Sequence, residues 1–373
     1  MGVIGLGNIG LRTAWLLSRR GHHVVGIDSR MNAVKAAEDM GAEAKLLDAL
    51  SRDALRTITS RVDVVALALP SSMAYKALLN LASLGVDTVD VSFIRDGLEE
   101  LESEASTTNT RIIVNAGFAP GLSNVLIARG VSAVDGRRAR VYAGGISEDP
   151  RSPLGLSATW NTEDLIEEYI RPAKLVKDGK VVEIDPLDGP VERVKIKGIG
   201  ELECFYTDGL GSLLKTFGHL EELAECTLRW PGHLTIMRGL KSLSMLSRKP
   251  VEVSGCPVYP ASFLAEILKK VSAKSRDIAL LKVVVRGHRG EAEYESIVRS
   301  DNRWSATSIA VSSVQAAFVE MLVSGYLPSG EGGVFYPEQF GGIERIYSLI
   351  IESVKEGGVM VEERITTLTS SPP

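Results

Sequence analysis

Gly5, Gly7 and Gly10 stand in Met1-Gly-Val-Ile-Gly-Leu-Gly-Asn-Ile-Gly10, a short apolar run that enters G-x-G-x-x-G and continues as Leu11-Arg-Thr-Ala-Trp-Leu-Leu17. Glycines at this spacing make a phosphate-binding turn of backbone. Gly5 permits the tight turn, Gly7 lets a pyrophosphate approach the main chain, and Gly10 lets helix and strand pack closely. The anion then meets unpaired N–H groups and the positive end of the helix dipole. A glycine motif alone is weak, but here a strand pattern precedes it and a helix pattern follows it. His23-Val-Val-Gly-Ile-Asp28 adds a second strand ending in an acid, 18 residues after Gly10. A carboxylate at that spacing holds adenosine ribose hydroxyls, so the segment is expected to bind a dinucleotide. Asp28 repels a 2′-phosphate and favours NAD. Arg30, two residues on, could clamp that phosphate with its guanidinium fork and keeps NADP as the alternative.

The first third of the chain alternates apolar strand runs with helix patterns. Strands are expected at Val3–Leu6, Val24–Ile27, Ala44–Leu47, Val62–Leu69, Thr88–Val91 and Ile112–Val114. The alternation predicts an α/β fold: a Rossmann-like, doubly wound parallel sheet with helices on both faces. Ligands on such sheets lie beyond the carboxyl ends of the strands. The cofactor candidates are therefore Gly5, Gly7, Asn8, Ile9, Gly10, Asp28, Ser29, Arg30, Asp48, Leu69, Pro70, Ser92 and Phe93, with Gly117 and Phe118 beyond the last strand.

Past residue 121 the strands lengthen and become more polar, which predicts a second, mixed α+β domain. Around Asn302 the chain turns helical again, and Ser305–Gly325 reads as a small-residue-rich helix with exposed Gln and Ser. The expected division is a dinucleotide-binding domain over 1–121, completed by about 302–373, and a substrate-binding or oligomerisation domain over 122–301.

Bulk properties narrow the function. A chain of 373 residues with 45% hydrophobic and 24% charged residues is expected to fold as two soluble domains. A net charge of −5 offers no basic field for nucleic acid or an anionic membrane. The longest apolar run noted, Val64 to Leu69, is far short of a membrane span. With the motif beginning at residue 2, no signal peptide is expected. Cys204, Cys226 and Cys256 are few, odd in number and lack CxxC spacing, so neither a disulfide framework nor a metal site is expected and a cytoplasmic location fits.

Four further segments carry a resemblance: Gly117-Phe-Ala-Pro-Gly-Leu-Ser-Asn124, Thr159-Trp-Asn-Thr-Glu-Asp-Leu-Ile-Glu-Glu-Tyr-Ile-Arg-Pro-Ala173, Gly198-Ile-Gly-Glu-Leu-Glu-Cys-Phe-Tyr-Thr-Asp-Gly-Leu210 and Thr227-Leu-Arg-Trp-Pro-Gly-His233. Together with the N-terminal motif they resemble the saccharopine dehydrogenase-like family. The resemblance implies NAD-dependent oxidative deamination at the ε-carbon of lysine, a Rossmann domain beside a substrate domain, and a homodimer or homotetramer. It also sets Gly117, Phe118 and Pro120 at the nicotinamide. Saccharopine reductases of the wider family often carry Asp where this chain has Ala119, which argues against saccharopine itself. The family's Thr-Gly-rich start of the late helix is replaced by Ala306-Thr-Ser-Ile-Ala310.

A lysine-like substrate needs a guanidinium for its carboxylate, and Arg229 and Arg171 are the candidates. Asp208 and Glu201 are candidates for the amine, although Asp208 could equally cap a helix over Leu210–Thr216. His233 could titrate near neutrality as a base. Tyr142 and Trp160 could line the pocket. The competing readings are a saccharopine or carboxylated-polyamine dehydrogenase or reductase, and a non-enzymatic NAD-binding regulator.

Overall fold

The computed structural model describes residues 1–94, 97–157, 162–272, 276–327 and 331–367. Trp160, one of the pocket candidates, lies outside them. The chain divides into two compact units, 1–132 with 308–361, and 133–307 with 362–373.

The first unit opens with β1 (Gly2–Ile4), α1 (Asn8–Arg19), β2 (Val25–Asp28), α2 (Met31–Glu38) and β3 (Glu43–Leu46). It continues with α3 (Arg52–Thr59), β4 (Val64–Leu67), α4 (Ser71–Ser83), β5 (Asp87–Asp90), α5 (Leu98–Thr107), β6 (Arg111–Ile113) and α6 (Leu122–Val134). All residues of β1, β2 and β4 are buried, because helices cover both faces of the sheet.

The second unit runs β7 (Gly136–Ser147), α7 (Thr162–Ile170), β8 (Ala173–Lys177), β9 (Lys180–Ile184), β10 (Glu192–Ile196), β11 (Gly200–Tyr206), α8 (Leu213–Phe217) and β12 (Glu222–Arg229). It goes on through α9 (His233–Ser242), the hairpin β13 (Val251–Val253) and β14 (Cys256–Val258), α10 (Pro260–Ser272), β15 (Asp277–Gly287) and β16 (Gly290–Arg299). The chain then forms α11 (Ala306–Val323), β17 (Gly333–Phe335), α12 (Glu338–Gly341), α13 (Glu344–Glu356) and β18 (Glu362–Thr367).

In the first unit seven parallel strands lie in the order β17-β6-β5-β4-β1-β2-β3. The order reverses at β1, which pairs with β2 on one side and β4 on the other. That switch point opens a crevice beyond the carboxyl ends of the strands. The core beneath it is built from Ile4, Val25, Ile27, Val65 and Leu67 of the strands and Leu55, Leu78 and Leu81 of the helices.

α11 corrects the expected exposure of its polar residues: Ser308, Ser312, Ser313 and Gln315 are all buried. Partners distant in the chain explain the burial of Ser312, Ser313 and Gln315. Arg12 of α1 donates to the hydroxyls of Ser312 at 2.6 Å and Ser313 at 3.1 Å and to the carbonyl of Gly357 at 2.7 Å. Gln315 donates from Nε2 to the carbonyls of Leu67 at 2.9 Å and Val89 at 3.1 Å, and accepts from Thr13 at 2.8 Å. α11 is long and apolar enough to cross a membrane, but 78% of it is buried inside the protein, as befits a core helix.

The second unit holds a nine-stranded mixed sheet, β10-β11-β12-β7-β15-β16-β18, with β8 pairing β12 and β9. β12 and β7 are parallel, whereas the other pairs are antiparallel. Helices α7, α9 and α10 cover one face, packing Leu165, Ile166, Leu234, Met237 and Leu264 around Phe205. The opposite face carries Arg138, Arg140, Tyr142, Lys282 and Arg286 along a groove.

The expected boundary shifts in two respects. The first unit keeps α6 up to residue 132, and the C-terminal strand β18 leaves it to pair with β16. Edge-strand pairing depends on which backbone is unpaired in the fold, and the polar tail gives no sign of it.

Candidate functional site

The glycine turn after β1 is built as phosphate-binding backbone. Gly5 has φ of +87°, and a Cβ on Gly10 would lie 1.8 Å from the Gly5 carbonyl oxygen, so helix and turn touch at that point. Above Gly7 the space is open, with only the Arg30 guanidinium approaching a Cβ position, at 3.8 Å. Gly7 is the N-cap of α1 and supplies no side-chain capping oxygen to its first turn. A pyrophosphate fits this cradle by chemistry and by space.

Asp28 ends β2 beside it. Its carboxylate accepts from the Leu6 N–H at 2.8 Å and the Arg30 N–H at 2.9 Å. The Arg30 side chain adds Nε to Oδ1 and Nη2 to Oδ2, both at 3.0 Å. Burial alone would raise the Asp28 pKa, but the hydrogen bonds from Arg30 and Leu6 outweigh it and hold the carboxyl below its ordinary value. Ser29 and Arg30 are exposed, as is Asp48 after β3.

The same ends of the neighbouring strands carry the remaining cofactor candidates. Leu69 and Pro70 follow β4, and Ser92 and Phe93 follow β5. Asp90, the fully buried last residue of β5, accepts from the Ser92 hydroxyl and, at 3.1 Å, from the Ser92 N–H. Burial, opposed by those bonds, pushes its carboxyl up to about 7. Gly117, Phe118 and Pro120 form the loop after β6. Asn115 holds one flank by accepting from the Ile94 N–H at 2.9 Å. Asn124 holds the other, accepting from the Gly121 N–H at 3.2 Å and donating to the buried Glu338 at 2.9 Å. Asp90 and Asn115 stand at the strand ends where sequence places a ligand, and Asn124 closes the Gly117–Asn124 segment, whereas Glu338 was not singled out from sequence.

In the second unit the structure gathers Arg229 and His233 but arranges them differently from a free clamp and a titrating base. Arg229 is buried. Its Nη2 donates to Glu168, its Nε to the Tyr169 hydroxyl at 3.1 Å, and its Nη1 to the Leu228 carbonyl at 3.0 Å. The Tyr169 hydroxyl lies 2.8 Å from His233 Nε2, and His233 Nδ1 lies 2.8 Å from the Leu154 carbonyl. A carbonyl only accepts, so Nδ1 carries the proton and Nε2 accepts from Tyr169. Burial first and the Arg229 charge second push the imidazole down to about 3, so His233 is neutral around pH 7. The guanidinium is held by Glu168 and Tyr169, and the imidazole is a neutral link in the same chain of bonds.

The other candidates scatter. Arg171 pairs with Glu167 at 3.3 Å, one turn from Glu168. Glu201 is exposed and pairs with Arg193 at 2.7 Å on the surface. Two residues along β11, Glu203 instead caps α9, accepting from the N–H groups of Gly232 at 3.1 Å and Leu234 at 2.6 Å. Tyr142 points to the groove with Arg140, on the sheet face opposite Arg229, because β7 and β12 alternate in register with Cys226 against Tyr142. Asp208 follows β11, and its negative charge acts on Glu225. It does not stand at the N-cap of α8, where Ser212 stands. Among the described residues no group of three or more His, Cys, Asp or Glu could hold a metal ion.

Cys204 and Cys226 correct the expectation that the cysteines form no disulfide framework. They lie on adjacent strands β11 and β12 and are joined as a disulfide with Cα atoms 5.6 Å apart, while Cys256 is free and exposed.

The fold and the glycine cradle define a Rossmann-like α/β protein with an added mixed-sheet unit. Residues 117–359 match the saccharopine dehydrogenase C-terminal domain, and residues 1–88 match the TrkA-N domain. The chain belongs to the saccharopine dehydrogenase-like family of oxidoreductases.

Saccharopine dehydrogenase [NADP(+), L-glutamate-forming] of Saccharomyces cerevisiae is 24% identical over 259 residues, which is 66% of this chain and 58% of that protein. Its counterpart in Schizosaccharomyces pombe is 25% identical over 50% of this chain and 44% of that protein. The matches thus span about half the length of these relatives. The solved structure of the apo S. cerevisiae enzyme shares the fold with a TM-score of 0.79, covering 98% of this chain and 99% of that one at 17% identity.

Proposed function

We propose that this protein oxidises an amine-bearing carbon of an amino acid with a nicotinamide cofactor, L-lysine being the substrate and the ε-carbon the site, as in an L-lysine 6-dehydrogenase. The product is allysine with release of ammonia, and allysine cyclises to piperideine-6-carboxylate. The observation that carries this reading is the Gly5–Gly10 cradle beside Asp28 in a chain whose remaining two thirds match the saccharopine dehydrogenase C-terminal domain.

A bound nicotinamide would accept hydride, and the protein would orient the amine and manage its protons. On this reading Gly5, Gly7 and Gly10 hold the pyrophosphate, Asp28 meets the adenosine ribose, and the Gly117–Gly121 loop faces the nicotinamide. NAD is the proposed cofactor, with NADP the alternative that Arg30 keeps open. The proposed assembly is a homodimer or homotetramer in the cytoplasm.

Saccharopine is the second reading, favoured by the names of the relatives. Ala119, where saccharopine reductases often carry Asp, supports lysine instead.

Absorbance at 340 nm on mixing the protein with L-lysine and NAD tests the proposal. A rise with lysine is expected. A rise with saccharopine alone transfers the proposal to the second reading, and no rise with either substrate and either nucleotide overturns both.

A further inference from the structure

We infer that Glu225 receives the terminal ammonium group of the substrate, in an acidic site it forms with Asp208 and Glu168. The inference rests on the amine-oxidising reading above. Alternation along β12 turns Glu225, Thr227 and Arg229 to one face of the sheet. Two of the three are satisfied there. Thr227 and Thr207 share a hydrogen bond of 2.8 Å, and Arg229 is held by Glu168 and Tyr169.

Glu225 differs from both. It is 8% exposed, yet its carboxylate makes no hydrogen bond with any side chain or N–H among the described residues. A buried polar group without a partner is costly, and a charged one more so. The charges that act on Glu225 are the like charges of Asp208 and of Glu168, which is paired with Arg229. Burial first, then these two charges, push the carboxyl up to about 8. The Gly209 backbone lies against it: a Cβ there would stand 1.6 Å from Oε2.

A site of this kind lacks one component, a compact cation supplied from outside. An alkylammonium carries three N–H donors and a unit positive charge, which the Glu225 carboxylate accepts and the Asp208 charge stabilises. The position of the carboxylate on the substrate decides which ammonium enters. An α-ammonium brings its own carboxylate within two bonds, and Glu225 and Asp208 repel it. The ε-ammonium of lysine stands at the end of four methylenes and enters alone. Around neutral pH the empty site holds a proton on Glu225. Entry of the ammonium ionises the carboxyl, which then accepts an N–H bond, and about one proton leaves to solvent.

The test compares L-lysine with L-norleucine, which has the same carboxylate and chain but no ε-ammonium. Binding to the native protein and to Glu225→Gln is measured by calorimetry with NADH present, so that no turnover occurs. The native protein is expected to bind lysine at least tenfold tighter than norleucine, with Glu225→Gln abolishing that preference and leaving norleucine and NADH affinities unchanged. Equal lysine affinity in native and variant proteins overturns the inference, even if the native protein oxidises lysine. A lysine preference lost in the variant upholds it, even if turnover with lysine is absent and the functional reading fails. If Glu225→Gln does not fold, calorimetry of the native protein in two buffers of different ionisation enthalpy decides: release of about one proton with lysine and none with norleucine upholds the inference, and equal release overturns it.

Discussion

Asp28 and Arg30 grip each other at two points, Nε to Oδ1 and Nη2 to Oδ2, across the mouth of the glycine turn. The carboxylate proposed to accept from the adenosine ribose therefore already accepts four hydrogen bonds, counting the N–H groups of Leu6 and Arg30. The Arg30 side chain, 59% exposed, is the partner that can leave. Arg30→Ala is expected to strengthen NAD binding a few-fold and to weaken NADP binding at least tenfold. Asp28→Ala should cost NAD about 1.5–3 kcal/mol while sparing NADP. Fluorescence titration of both nucleotides checks this, and equal losses for both in Arg30→Ala contradict it.

Arg229 and Glu168 predict a stability effect. Removing one member of a buried pair leaves the other uncompensated, and Glu168 is partly exposed, so Arg229→Met is expected to destabilise the protein by about 3 kcal/mol. The double variant Arg229→Met, Glu168→Met should recover a large part of that loss. Chemical denaturation of the two single variants and the double variant gives the coupling, and strict additivity denies that the two residues act as a pair.

His233 makes a pH prediction. Its folded pKa of about 3 lies below the ordinary 6.5 of an unfolded chain. A depressed pKa contributes stability that is fully present above 6.5 and is lost as pH falls from there toward 3. In the His233→Asn variant this acid-side slope should shrink. Nitrogen NMR of the native protein at pH 6 should show a neutral ring protonated at Nδ1, and a titration midpoint between pH 6 and 7 would falsify the assignment.

Cys204 and Cys226 close a loop of 22 residues' separation across β11 and β12. A bridge of that span restricts the unfolded chain by roughly 3 kcal/mol. Reduction is expected to lower the melting temperature by several degrees. Under non-reducing conditions an alkylating reagent should label Cys256 alone, and mass spectrometry showing labels on Cys204 or Cys226 in the folded protein removes the bridge.

Gln315 ties α11 to the backbone of β4 and β5. Gln315→Leu removes the bonds to the carbonyls of Leu67 and Val89 and to the hydroxyl of Thr13, at a cost of about 1–3 kcal/mol. Hydrogen exchange should rise most at the carboxyl ends of β4 and β5. An unchanged exchange pattern would show that water replaces the amide without penalty.

Several parts of this picture were legible in the residues themselves. The strand, glycine turn and helix over 1–17 are local in sequence, and each element has the period its environment demands. The late helix was legible as a helix and as part of the first unit, but its serines and Gln315 read as exposed. Their partners, Arg12 and Thr13, lie about 300 residues away in sequence. Glu225 also left a signal, since a single acid within Leu223-Ala-Glu-Cys-Thr-Leu228 stands in phase with Thr227 and Arg229. The period of two alone says that the three share a face, without saying that helices cover it.

The sequence by itself determined the α/β class, the glycine cradle and Asp28 at the end of the second strand. These depend on spacing within some thirty residues, where backbone geometry follows residue type directly. Only the tertiary structure decided what the buried charges do. It set Glu168 against Arg229, neutralised His233 by burial beside Arg229, turned Tyr142 to the opposite sheet face and joined Cys204 to Cys226. Each of these follows from strand register or from a partner distant in the chain. A charged side chain acquires its role from the dielectric and the partners that folding places around it.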